Sequence, residues 1–226
     1  YTPFTNMITF KFQNILISLL LLLVITNKEG YGFGTVQQAD TLLRKFPGHV
    51  NAQGSYQPEQ TKLHEIIHTR LDIQPDWEKQ QSSGTAFIQF KPYFYDQDTI
   101  VLDAKGFDIK HVSLLANNTP FTFLTAAELE KKPSQKVEYG YDKIKLKINL
   151  EKKYTRKDTL LLKIEYVAKP NELVPTYSTE KGLYFINPDG KTAGKPKQLW
   201  TQGETSGSSC WFPTIDAPNQ KFTQDI

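Results

Sequence analysis

The chain has 226 residues, enough for one or two domains, and its 38% hydrophobic and 23% charged residues exclude a largely disordered protein. Its net charge of +3 comes without a long basic run, which argues against nucleic-acid binding through a clustered basic face. The single cysteine, Cys210, excludes an internal disulfide and a cysteine-based zinc site. We expect Cys210 to be a half-buried thiol beside Trp211.

The beginning of the chain predicts an export signal. Lys11 follows Met7 as a positive n-region, and Ile15–Ile25 is an apolar run broken only by Ser18. The run is shorter than the roughly 20 apolar residues that span a bilayer, and it suits a secretory signal peptide. We therefore predict that residues 1–32 are upstream residues and a signal peptide, that the product is secreted or periplasmic, and that it has no stable membrane anchor. An uncleaved signal anchor is the alternative.

A zinc-type motif occurs at His64-Glu65-Ile66-Ile67-His68. It has the H-E-x-x-H pattern, in which two histidines one helical turn apart bind the metal beside a catalytic glutamate. The pattern functions on a helix, whereas Leu63–Ile73 alternates as a strand does. On a strand, residues four apart share a face but are separated by about 13 Å, too far to chelate one ion. We interpret His64, Glu65 and His68 as a coincidental motif that binds no metal.

The region after Trp77 predicts many short strands with turns between them, which is typical of a sandwich or barrel. The clearest strand places Ile144, Leu146, Ile148 and Leu150 on one face and lysines on the other, where they form a solvated face. Strands are predicted at Thr85–Pro92, Thr99–Ala104, Ile109–Leu115, Pro120–Leu124, Tyr141–Leu150, Thr159–Ala168, Leu183–Ile186 and Gln198–Trp200, with a helical turn at Ala126–Lys132.

The predicted architecture is all-β: a saddle-like antiparallel β-sandwich over residues 61–226, preceded by the signal peptide and a short extension. That extension, residues 33–60, has mixed polarity and predicts a short helix at Gln37–Lys45. A domain of this size buries about 70% of its extended-chain surface, which is enough for a core of its own.

The candidate site lies in the last stretch, Thr201–Ile226. Gln202 and Glu204 share one side of an extended backbone, with Gly203 between them. We call these three residues the ledge. Its side-chain carbonyl and carboxylate can bind a cation such as a free α-amino group. The residue types alone also fit a polar loop closed by a Pro-rich turn.

This stretch resembles the substrate-side motif in the N-terminal domain of the aminopeptidase N family of zinc metallopeptidases, which is Gln-x-Glu, seven residues, then Phe-Pro-x-x-Asp-x-Pro. The match is Gln202-Gly203-Glu204, then Thr205–Trp211, then the segment that contains Phe212, Pro213, Asp216 and Pro218. The chain departs from the family at Ser208-Ser209-Cys210, where many members have a basic residue. The resemblance covers the chain from about Leu63 to its end.

The resemblance implies that residues 61–226 are the N-terminal domain of a secreted enzyme that removes N-terminal residues from peptides. It assigns recognition of the substrate α-amino group to Gln202 and Glu204, and structural roles to Phe212, Pro213, Asp216 and Pro218. Zinc and the catalytic residues would belong to a downstream domain on which this one packs. The segment alone is therefore expected to hold no catalytic residue, to bind no zinc and to be inactive.

Two points stay open at this stage. The family includes epoxide hydrolases that share this domain, so the reaction of the whole protein is implied rather than read from these residues. The alternative is a freestanding β-sandwich adhesion or carbohydrate-binding module that uses exposed Trp and Tyr as its contact surface. Trp200 and Trp211, however, are expected to be used in packing.

Overall fold

The computed structural model describes residues 60–116 and 124–226. The predicted signal peptide, the extension with its helix at Gln37–Lys45, and most of the predicted strand Pro120–Leu124 lie outside the described residues. Within the described ranges, no helix is long and apolar enough to cross a membrane. The strands are β1 (His64–Asp76), β2 (Gln81–Pro92), β3 (Gln97–Asp103), β4 (Asp108–Leu115), β5 (Ser134–Lys136), β6 (Tyr139–Tyr141), β7 (Lys145–Tyr154), β8 (Leu160–Ala168), β9 (Leu183–Ile186), β10 (Gln198–Thr201) and β11 (Thr223–Asp225); one helix is α1 (Ala126–Glu130), and 3-10 turns lie at Pro170–Glu172 and Ser208–Cys210.

The strands form two larger sheets and a hairpin. The six-stranded sheet has the order β11-β1-β2-β8-β4-β5, the three-stranded sheet has the order β3-β7-β6, and β9 pairs with β10. One core cluster joins the two larger sheets, with Ile88 and Phe90 from β2 and Leu102 and Leu146 from β3 and β7, all of them fully buried. The predicted all-β sandwich is thus the observed architecture, except that β1 and β11 pair in parallel.

The large sheet is also covered on part of its outer face. A second, smaller cluster contains Phe87, Leu115, Leu129 and Leu161. Leu129 comes from α1, whose N-terminus is capped reciprocally by Thr125 and Glu128. Leu161 is buried on this face, so β8 has buried residues on both of its sides.

The strand predicted at Tyr141–Leu150 is two strands. β6 ends at Tyr141 and β7 begins at Lys145, because Asp142 accepts the backbone N–H groups of Ile144 (2.8 Å) and Lys145 (2.6 Å) and closes a turn. Ile144 lies in that turn and is exposed, so its assignment to the buried face is wrong. The strands β5 and β11 were not predicted, since each has three exposed residues and no alternation.

Candidate functional site

The ledge continues the β9–β10 hairpin. In that hairpin Trp200 pairs with Tyr184 and Thr201 with Leu183. The backbone N–H of Gln202 donates to the carbonyl of Gly182 at 2.9 Å, which extends the ladder by one step. Gln202 and Glu204 are both exposed.

A tight turn follows the ledge and depends on Gly207. The Gly207 N–H donates to the carbonyl of Gly203 at 2.7 Å. A Cβ at Gly207 would lie 2.2 Å from the carbonyl oxygen of Gln202, closer than atoms can approach, so only glycine fits. The peptide bond between Glu204 and Thr205 in this turn is cis. Backbone bonds thus fix the ledge where Glu204 leaves the strand.

A lysine from another part of the chain holds the same turn. The ammonium of Lys105, in the β3–β4 connection, donates to the carbonyl of Ser206 (2.7 Å) and to its hydroxyl (2.9 Å). The Lys105 backbone N–H donates to the carbonyl of Ser209 at 2.8 Å. Charge-assisted bonds of this kind are about twice as strong as neutral ones. Lys105 therefore brings a cation to the turn that follows the ledge. Sequence reasoning missed it because no local pattern marks it.

Asp216 ties the Pro-rich segment to this turn. Its Oδ2 accepts the backbone N–H of Ser209 at 2.9 Å, and its own N–H donates to Asp103 at 3.1 Å. The Asp216 carboxylate thus reaches back from the Pro-rich segment to the 3-10 turn at Ser208–Cys210. A structural role for Asp216 is consistent with these bonds.

The aromatic and proline residues of the motif differ in burial. Trp211 and Phe212 are buried, with ring centroids 4.6 Å apart, and Pro213 is buried beside them, whereas Pro218 is exposed. Trp211 and Phe212 belong to the main core cluster. Trp200, by contrast, is 47% exposed, so its assignment to packing is wrong.

Cys210 is fully buried, not half-buried as expected. Its Sγ lies 3.4 Å from the Ser178 hydroxyl and 3.5 Å from the Glu180 carbonyl oxygen. Burial raises the pKa of the thiol, which keeps it protonated at neutral pH. Cys210 is therefore a packing residue beneath the turn.

An apolar cleft of about 720 Å³ adjoins the ledge. Gly203 forms part of its wall, together with Leu199, Trp200, Trp211 and Phe222. Cavities of this volume accept small ligands and side chains. The ledge thus has a polar, exposed surface and an apolar space immediately beside it.

The H-E-x-x-H motif lies on β1, which confirms the strand prediction. Its geometry differs from the expected one, because Ile67 is an extra residue in the pairing of β1 with β2: Ile66 faces Phe90 and His68 faces Gln89. Directly paired residues share a face, and Phe90 and Gln89 point to opposite sides of β2. His64 and His68 therefore lie on opposite faces of the sheet, rather than on one face as predicted.

Each histidine has its own surroundings. The His64 ring packs edge-on against Phe90, and burial lowers its pKa to about 4. The His68 Nδ1 lies 2.6 Å from the Thr223 hydroxyl, its Nε2 lies 3.4 Å from Asp225, and burial lowers its pKa despite that carboxylate. Among the described residues, no group of three or more His, Cys, Asp or Glu side chains could hold a metal ion. The motif residues of this chain do not fit zinc.

We expect purified residues 33–226 to carry far less than one zinc per chain by atomic emission, because no single ion can contact imidazoles on opposite faces of a sheet. His68→Ala should leave the zinc content unchanged. One tightly held zinc per chain that is lost in His68→Ala would contradict this prediction.

Comparison with known proteins places the chain in a family. The model of the Peptidase M1 N-terminal domain matches residues 54–226, so the chain belongs to that family. A comparison with curated proteins found no match. The family membership confirms the resemblance seen in the sequence motif and favours a peptidase domain over a freestanding adhesion module.

Solved structures share the fold. An M1 zinc metallopeptidase from Deinococcus radiodurans, bound to a Tyr-Ser-Ala substrate, is 17% identical with a TM-score of 0.51; the match covers 71% of this chain and 31% of that one. A two-domain M1 zinc metallopeptidase bound to L-tryptophan is 15% identical with a TM-score of 0.54, covering 75% and 33%. Native leukotriene A4 hydrolase from Saccharomyces cerevisiae is 18% identical with a TM-score of 0.53, covering 81% and 26%. This chain thus spans a third or less of the length of these proteins.

Proposed function

We propose that this chain is the substrate-recognising N-terminal domain of a zinc aminopeptidase, and that Gln202 and Glu204 bind the α-amino group of the peptide. The observation that carries the proposal is an exposed carbonyl and carboxylate, two residues apart, on a backbone fixed by hydrogen bonds in a chain of this family. Solved M1 metallopeptidases with this fold are described with a tripeptide and an amino acid bound, which supports a peptide substrate.

The chemistry of an exopeptidase explains what the ledge does. The enzyme must distinguish a free ammonium from an internal amide and hold it at a fixed distance from the scissile carbonyl. The Glu204 carboxylate accepts a charge-assisted N–H bond, and the Gln202 side-chain carbonyl accepts a second. Because Lys105 and Asp216 hold the following turn, the ledge is preorganised and orientation costs little at the moment of reaction.

Zinc and the groups that cleave the bond are assigned to a downstream domain that packs against this one. The residues of this chain contribute binding and orientation. Residues 33–226 alone should therefore be inactive.

Export remains a prediction from Lys11 and the Ile15–Ile25 run. N-terminal sequencing of the mature protein tests it, and a mature chain that still begins at Met7 would favour the signal anchor.

The test uses the protein made from the complete gene. It should hydrolyse amino-acid amides and peptides that carry a free α-amino group, and N-acetylation of the same substrates should abolish the reaction. Residues 33–226, assayed at the same concentration, should show none. Equal cleavage of free and N-acetylated substrates, or hydrolysis by residues 33–226 alone, would contradict the proposal.

A further inference from the structure

Trp200 and Tyr184 form a flat, partly exposed aromatic surface. They are a cross-strand pair of β10 and β9, stacked with ring centroids 4.5 Å apart and planes 13° apart. Trp200 is 47% exposed and Tyr184 is half-buried. We call this pair the aromatic platform. Partly exposed Trp and Tyr side chains are frequent at contact surfaces, because they combine a large apolar face with a polar group.

The platform is not part of the packing of the hairpin on the core. Leu199 and Phe185, the neighbouring pair, are the residues that pack against the core, and Phe185 also contacts Trp77 at 5.4 Å between ring centroids. Because successive residues of a strand point to opposite faces, Trp200 and Tyr184 lie on the other face. Hairpin stability is therefore supplied largely without the platform.

The platform lies next to the ledge on the same face. Gln202 follows Trp200 by two residues, and its backbone N–H continues the hairpin ladder to Gly182. Two residues of a strand span about 7 Å. Trp200 also lines the apolar cleft to which Gly203 contributes. By the alternation of side chains along the strand, a group held by the Gln202 side chain therefore lies on the face that carries the Trp200 indole.

We propose that the aromatic platform is a specificity determinant that binds the side chain of the substrate's N-terminal residue and favours aromatic rings. This rests on the proposed function, because it requires the α-amino group to be on the ledge. The side chain of the substrate's N-terminal residue is attached to the same Cα as the α-amino group. Binding of that nitrogen on the ledge therefore places the side chain beside the aromatic platform. A ring stacked or edge-on against the platform gains both apolar burial and ring–ring attraction, whereas a methyl group gains little.

The experiment compares two substrates in the same enzyme preparation, using the protein from the complete gene. The ratio of kcat/KM for the p-nitroanilide of phenylalanine to that of alanine is measured for wild type, Trp200→Ala and Trp200→Phe. Trp200→Ala should lower this ratio about 3- to 10-fold, and Trp200→Phe, which keeps a ring, should recover most of it. Loss of folded enzyme would lower both rates equally and leave the ratio unchanged.

Trp77→Ala is the matched control, since it removes an indole that packs on the other face of the same hairpin. It should leave the ratio near that of wild type. Tyr184→Ala provides a second variant, which should lower the ratio in the same direction even if Trp200→Ala folds poorly. An unchanged ratio in Trp200→Ala and Tyr184→Ala, in an active enzyme, would overturn the platform and leave the proposed function intact. A wild-type protein that hydrolyses neither substrate nor any other free-amine peptide would overturn both.

Discussion

Glu204→Ala in the complete enzyme should lower kcat/KM for peptides roughly ten- to a few-hundred-fold. A hydrogen bond to a charged group contributes about 1.5–3 kcal/mol, and here it forms between a carboxylate and the substrate ammonium. Misplacement of the scissile carbonyl adds to the loss, because orientation carries part of the barrier. Steady-state kinetics with free-amine peptides measure the effect. The thermal midpoint and zinc content should stay near wild type, since Glu204 is exposed and supports no other residue with its side chain in the structure described.

Two variants make the Glu204 result specific. Glu204→Gln keeps an acceptor oxygen but removes the charge, so its loss should be smaller than that of Glu204→Ala. Glu78→Ala removes another exposed carboxylate of the same domain and should leave kcat/KM unchanged. If Glu204→Ala leaves turnover unchanged, or only unfolds the domain, the ledge is a structural loop and the site assignment is wrong.

In contrast to Glu204→Ala, Asp216→Ala should destabilise the fold more than it slows the reaction. It leaves the Ser209 N–H without its acceptor and loosens the 3-10 turn beneath the ledge. Leaving a partly buried donor unpaired costs about 1–3 kcal/mol of unfolding free energy. Urea unfolding of residues 33–226 measures this cost.

Asp216→Asn is the matched control for that measurement. Its amide oxygen can still accept the Ser209 N–H, so most of the stability should return. In the complete enzyme, kcat/KM per folded molecule should fall less for Asp216→Ala than for Glu204→Ala. Wild-type stability in Asp216→Ala would show that the bond to Ser209 contributes nothing, and the structural role would be abandoned.

Local patterns predicted much of the fold. Strand β8 lies where its alternation placed it, because a strand with a buried face leaves a period of two in its own residues. The short strands β9 and β10 also lie at their predicted positions. The helical turn was also predicted, and it is observed as α1. The pattern failed where a turn interrupts an alternating run, at Asp142–Ile144, since alternation does not reveal that the chain reverses between two strands.

The sequence by itself determined the family and the candidate pair Gln202 and Glu204, because a motif with fixed spacing is a local property of the chain. Tertiary structure alone decided which residues join that pair. Lys105 binds Ser206 from 101 residues away, and Tyr184 stacks on Trp200 through strand pairing. The tertiary structure also showed that the two histidines of the H-E-x-x-H motif are separated, since the extra residue Ile67 places His68 on the opposite face of the sheet from His64. Strand register and long-range contacts depend on partners distant in sequence, and no local pattern contains them.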